Sequence, residues 1–200
     1  VKNSANGVTL PAGEYSIEVR STSAAVPPAK FSAPVYGASQ KFSITAGQTT
    51  ELGTITCTLL QCAVSINYND DFLATVSGNG QTSVEVTSGY PLNYAMTYTE
   101  GSTPTYDRRI GYFAINNGDN TSMTITFKGS IEGKTQKMST SIMGVKARDW
   151  HIITFMKKTE ANGNSSFSVE IDGLVADLEL GNDITGIEYG DGEDPNAPTG

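Results

Sequence analysis

Histidine and tryptophan each occur once in the 200 residues and cysteine twice, and each scarcity removes a class of chemistry. His151 alone cannot build a multi-histidine metal centre, and any Ser/His/Asp triad would have to be assembled on it. Cys57 and Cys62 are too few for a disulfide framework. Strand alternation sends them to opposite faces, which disfavours a bridge between them, so they read as two small apolar side chains. No apolar run reaches transmembrane length, and neither a phosphate-cradling glycine loop nor a nicotinamide fingerprint is present. Charged residues are only 17% of the chain and form no basic patch, which argues against nucleic acid as a partner. The chain starts at Val1 with no signal peptide and reads as a piece of a longer exported protein whose signal has been removed.

What is abundant points to one fold class. Thr, Ser, Asn and 21 glycines crowd every segment, and 38% hydrophobic content is enough for a packed core. Acidity is concentrated at one end. From Ile171 onward there are eight acids and no bases, leaving thirteen acids against thirteen bases before it.

The longest β-favouring stretch, Thr49 to Tyr68, contains no proline. Ile55, Cys57 and Leu59 share one parity, whereas Leu60, Cys62, Val64, Ile66 and Tyr68 share the other, so the buried face switches at Leu59–Leu60. A single strand of that length would span roughly 65 Å. Two strands meeting at the switch, leading from one small core into a second, are therefore the preferred reading, with a β-bulge inside one sandwich as the alternative.

Upstream, Pro11-Ala12-Gly13 turns into the alternating run Tyr15, Ile17, Val19. Residues 21–38 hold Pro27, Pro28 and Pro34 and read as a long surface loop pinned to the core by Phe31 and Tyr36, before a short strand at Lys41–Thr45. Downstream, Asn69-Asp70-Asp71-Phe72 predicts one capped helical turn rather than a calcium loop. Strands are then expected at Ser83–Thr87, Asn93–Thr99, Arg109–Asn116, Ser122–Ile131, Thr135–Ser141, His151–Lys157, Ser166–Ile171 and Val175–Leu180. Turns are marked by Glu132-Gly133, by Asn116 to Asp119 and by Asn162 to Asn164. The expected fold class is all-β, with two antiparallel β-sandwich units and at most one short helix. The units are residues 1–60 and 61–182, followed by an acidic Gly/Pro linker at 183–200.

The search for chemistry yields little. Glu85, Glu100, Asp107 and Glu170 can be paired on paper for glycoside hydrolysis, but sequence spacing says nothing of their separation in space. Tyr90, Tyr94, Tyr98, Tyr106 and Tyr112 cluster in one quarter of the chain, and Arg108-Arg109 adjoins them. Tyr94, Tyr98, Tyr106 and Arg108 are the candidate ligand or partner surface, although Tyr94 and Tyr98 share parity with Met96 and fit an apolar strand face as well. No catalytic, cofactor-binding or metal residue is assigned, and no cofactor is expected. Asn120-Thr121-Ser122 and Asn164-Ser165-Ser166 match glycosylation sequons without expected consequence.

Four segments together carry a family resemblance: Leu10 to Glu18, Pro34 to Phe42, Ala46 to Thr50 and Thr56 to Leu59, joined by Ala147 to Phe155 and the Asp/Pro-rich tail. They resemble the fimbrillin-like surface lipoproteins of the Bacteroidetes. The resemblance covers most of the chain and rests on turn-and-strand signatures. It implies an exported protein held at the outer-membrane cell surface by an N-terminal lipid, with a transthyretin-like first sandwich that here lacks its leading strands. It further implies a non-catalytic structural or adhesive role, with other surface proteins or host glycans as partners and membrane contact only through a lipid outside this chain. A first sheet lacking strands would expose an open edge to strand addition. The alternative function is a glycan-binding module of a surface polysaccharide-uptake system.

Overall fold

A computed structural model describes residues 7–78, 82–115, 121–159 and 165–178. Among these residues the chain is all-β with one short helix, and the strands form three sheets.

The first sheet is small. Strand β1 (Gly13–Arg20) pairs antiparallel along its whole length with β3 (Tyr36–Ile44), and the two-residue β4 (Thr58–Leu59) closes the other side of β3. Tyr15, Ile17, Val19, Phe42 and Ile44 alternate with polar residues, giving the sheet one apolar face, on which Tyr15 and Phe42 stack at 5.8 Å. None of these side chains is buried and none joins the core. Among the described residues this first unit consists of that one three-stranded sheet.

The larger unit is a sandwich. Its five-stranded sheet runs β11-β10-β6-β7-β8, built from β6 (Thr82–Thr87), β7 (Pro91–Thr97), β8 (Thr105–Tyr106), β10 (Thr121–Ile131) and β11 (Lys134–Val145). The six-stranded sheet runs β14-β13-β12-β5-β9-β2, from β2 (Ala29–Phe31), β5 (Gln61–Tyr68), β9 (Gly111–Ala114), β12 (Trp150–Thr159), β13 (Ser165–Ile171) and β14 (Leu174–Leu178). Among the described residues all pairings of the sandwich are antiparallel except β5 with β12, which is parallel. Alternation carries the core. Met123, Ile125 and Phe127 of β10 face Val64, Ile66, Phe113, Ile153 and Phe155 of the opposite sheet, all within one buried cluster.

Helix α1 (Asp70–Leu73) plugs one end of this sandwich. Asn69 caps it, its Oδ1 accepting from the Phe72 N–H at 2.8 Å. The same Oδ1 accepts from the Lys157 N–H at 3.1 Å, and Nδ2 donates to the Lys157 carbonyl at 3.1 Å, so this side chain extends the pairing of β5 with β12 by one step. The turn places Phe72 between Phe127, Phe155 and Phe167, with ring centroids 5.4–5.8 Å apart.

Between Leu59 and Gln61 the chain leaves the small sheet for the sandwich, at the position of the parity switch. Cys62, Val64 and Ile66 enter the core, whereas Ile55, Cys57 and Leu59 stay half-buried on the other side. Both cysteines are free thiols. The expected loop at 21–38 needs correction: it contains β2, which pairs with β9 in the sandwich, and Phe31 packs edge-on against Tyr94 at 4.9 Å. Tyr36 does not pin that segment, being 44% exposed at the start of β3. The expected turns at 116–119 and 162–164, both sequon asparagines and the acidic tail at 183–200 lie outside the described residues.

Candidate functional site

Two regions bear on function: the small sheet and the tyrosine-rich quarter of the sandwich. β1 is the terminal strand of its sheet, so among the described residues one side of its backbone has no strand partner over eight residues. An edge of that kind, next to a half-covered apolar face, is a template for another strand. Where the sheet meets the sandwich it is tightly fixed. The Leu60 N–H donates to the Val35 carbonyl at 2.9 Å, the Val35 N–H donates to the buried Gln61 Oε1 at 2.8 Å, and Leu60 lies against Gly37, where a Cβ would sit 2.9 Å from it.

The four sequence candidates do not form one surface. Tyr94 is a correction: it is buried, its hydroxyl donating to the Val64 carbonyl at 3.0 Å and accepting from the Gly111 N–H at 3.1 Å, so it ties the two sheets together. Tyr98 is 37% exposed and lines a shallow groove of about 360 Å³ with Leu73, Val76, Ser102, Thr103 and Pro104. Tyr106 is half-buried, edge-on to Tyr68 at 4.8 Å, with the exposed Arg108 guanidinium 4.7 Å above its ring. Beside it, Arg109 grips Asp107 through both carboxylate oxygens and lies 4.3 Å over the Phe31 ring. That bidentate bond, opposed by partial burial, holds Asp107 below its ordinary value. The arrangement fastens β8 and the following loop to the sandwich.

His151 is buried, and its Nδ1 lies 2.6 Å from Asp172 Oδ2, while Asp172 Oδ1 accepts from the Ile152 N–H at 2.8 Å. Its Nε2 has no hydrogen-bond partner among the described residues, Asp149 standing 3.9 Å away. No serine hydroxyl meets it there, as a triad would require. Cys62 is close enough to Asp149 and Asp172 to feel both carboxylates, and burial first, then these charges, push its thiol far above the ordinary value. Among the described residues no group of three His, Cys, Asp or Glu could hold a metal ion, and no helix is long and apolar enough to cross a membrane.

Sequence reasoning missed Trp150. It sits next to His151 but on the opposite face of β12, 57% exposed, and parity alone separates Trp150 and Ile152 from the buried His151, Ile153 and Phe155.

No curated protein matches the chain. Among solved structures it is similar to a protein of Bacteroides fragilis designated a "putative cell adhesion protein", with 11% identity and a TM-score of 0.41. The match covers 80% of this chain and 65% of that one, so the chain spans just under two thirds of that protein's length. The family defined by a domain of unknown function, DUF4493, matches residues 1–185, and the chain belongs to that family.

Proposed function

We propose that this protein is a non-catalytic structural or adhesion module of the bacterial cell surface, a fimbrillin-like lipoprotein held at the outer membrane by an N-terminal lipid outside this chain. The observation that carries the reading is the small sheet, with a β1 edge that has no strand partner among the described residues and an apolar face that those residues only half cover. Turn-and-strand signatures such as Leu10 to Glu18 and Ala46 to Thr50 support the same family reading. The occupant of the edge is a strand of a second copy, whose backbone would complete the hydrogen bonds along β1 and whose alternate side chains would cover Tyr15, Ile17 and Val19. Sedimentation velocity across a range of protein concentrations tests it. Self-association should grow with concentration and be abolished by Ile17→Lys together with Val19→Lys, which place charges on the docking face. A chain that stays monomeric throughout, or a double variant that associates as the parent does, would sink the assembly reading.

A further inference from the structure

The outward face of the six-stranded sheet carries an aromatic row that the assembly reading does not use. Register places Lys30 of β2, Tyr112 of β9, Ala63 of β5 and Trp150 of β12 side by side across four neighbouring strands. The backbones of Tyr112 and Trp150 are thus two strands apart, about 10 Å, and Ala63 between them is covered, at 4% exposure. Trp150 is not a loose surface side chain. Its Nε1 donates to Ser65 Oγ on β5 at 3.0 Å, which holds the indole across the sheet while more than half of it faces solvent. Ile152, 45% exposed, follows on the same face. At the other end Tyr36 is near enough to Tyr112 to act, after burial, on its phenol, so a second tyrosine stands beside the row.

Two aromatic side chains on one sheet face offer platforms for the apolar C–H faces of pyranose rings of one oligosaccharide chain. The surroundings match the hydroxyl rim. Asn67 and Thr154 lie in the next rows of the same face and are partly exposed. Glu170, paired with Thr154, and the exposed Lys30, paired with Tyr112, share this face and offset one another, so no cluster of bases is there to hold an anionic ligand. Fixing the indole beforehand lowers the ordering cost of binding.

We propose that this face binds a neutral oligosaccharide, one sugar ring stacking on Trp150 and another ring of the same chain resting against Tyr112. The inference is independent of strand addition at β1, which lies in a different sheet.

Trp150 is the chain's one tryptophan, so its fluorescence reports on the site without a label. The purified chain is titrated with linear glucans, mannans, galactans and xylans of two to six sugars, with sialylated and sulfated glycans beside them. At least one neutral series should shift Trp150 emission saturably. Tyr112→Ala should weaken that binding about tenfold or more, and Tyr90→Ala, an exposed tyrosine in the other sheet's hairpin, should leave it unchanged. Calorimetry on Trp150→Ala should show no binding, and Trp150→Phe, which keeps a ring, should retain part of it. Melting curves matching the parent establish that each variant is folded. Silence across the neutral panel, a response confined to the anionic glycans, or binding that survives Trp150→Ala overturns the proposal. Because sedimentation of the β1 variants reads a different surface, either proposal can fail alone.

Discussion

At the residue scale the sandwich depends on a few side chains that bond across sheets. Tyr94 reaches from β7 to β5 and β9, and its hydroxyl fills the space a side chain on Gly111 would need, since a Cβ there would lie 2.3 Å from it. Tyr94→Phe leaves the Val64 carbonyl and the Gly111 N–H without this partner and should cost ~1–3 kcal/mol in urea unfolding. Asn69→Ala removes a helix cap and two bonds to Lys157 together, with an expected loss of about 2 kcal/mol by the same measurement. Thiol chemistry separates the cysteines. Iodoacetamide near pH 8 should modify the half-buried Cys57 in the native protein and reach Cys62 only in denaturant, because burial keeps that thiol protonated. Asp107 gives an acid-side effect. Its folded pKa lies below the unfolded one, so its contribution is present above the unfolded value and lost as pH falls through the folded one. Asp107→Asn should therefore narrow the stability gap between neutral and acidic pH in urea titrations repeated across that range.

At the element scale, the β10–β11 hairpin turns through Glu132 and Gly133, both at positive φ, 51° and 76°. That is the geometry of a two-residue turn matched to strand twist. Gly133→Ala should cost about 1 kcal/mol, read as a lower denaturation midpoint with an unchanged slope. This turn was readable from Glu132-Gly133, as was the Asn69 cap, because both are local chemistry. Strand positions were legible wherever one face is buried, since parity exposes them, as with Met123, Ile125 and Phe127. β2 and β8 were not, because three and two residues show no period, and the prolines flanking β2 spoke for a loop. The candidate surface fared differently. Tyr94 and Tyr98 share parity, yet Tyr94 lies inside the sandwich and Tyr98 beyond the end of β7, where alternation no longer binds. Trp150 was hidden because it opens a strand whose alternate residues His151, Ile153 and Phe155 are buried.

For the whole molecule, burial is unevenly shared. Among the described residues every fully buried large side chain belongs to the sandwich, and the β1–β3–β4 sheet contributes none. Local opening energies follow buried contacts, so amide exchange followed by mass spectrometry should show β1 and β3 exchanging well before β5, β10 and β12. Equal protection in both regions would mean the small sheet is covered in solution, and its dependence on protein concentration would show whether a second copy covers it.

The parallel seam between β5 and β12 has a mechanical consequence. β4 runs through a single residue into β5, and β5 lies mid-sheet, bonded to β9 on one side and β12 on the other. A pull on the small sheet therefore reaches the sandwich through both ends of edge strand β2 and through the amino end of β5, where it runs along the strand axis and loads its hydrogen bonds together in shear instead of opening them one after another. Under tension the two units would part slowly, a useful property for a tether between surfaces that are being drawn apart.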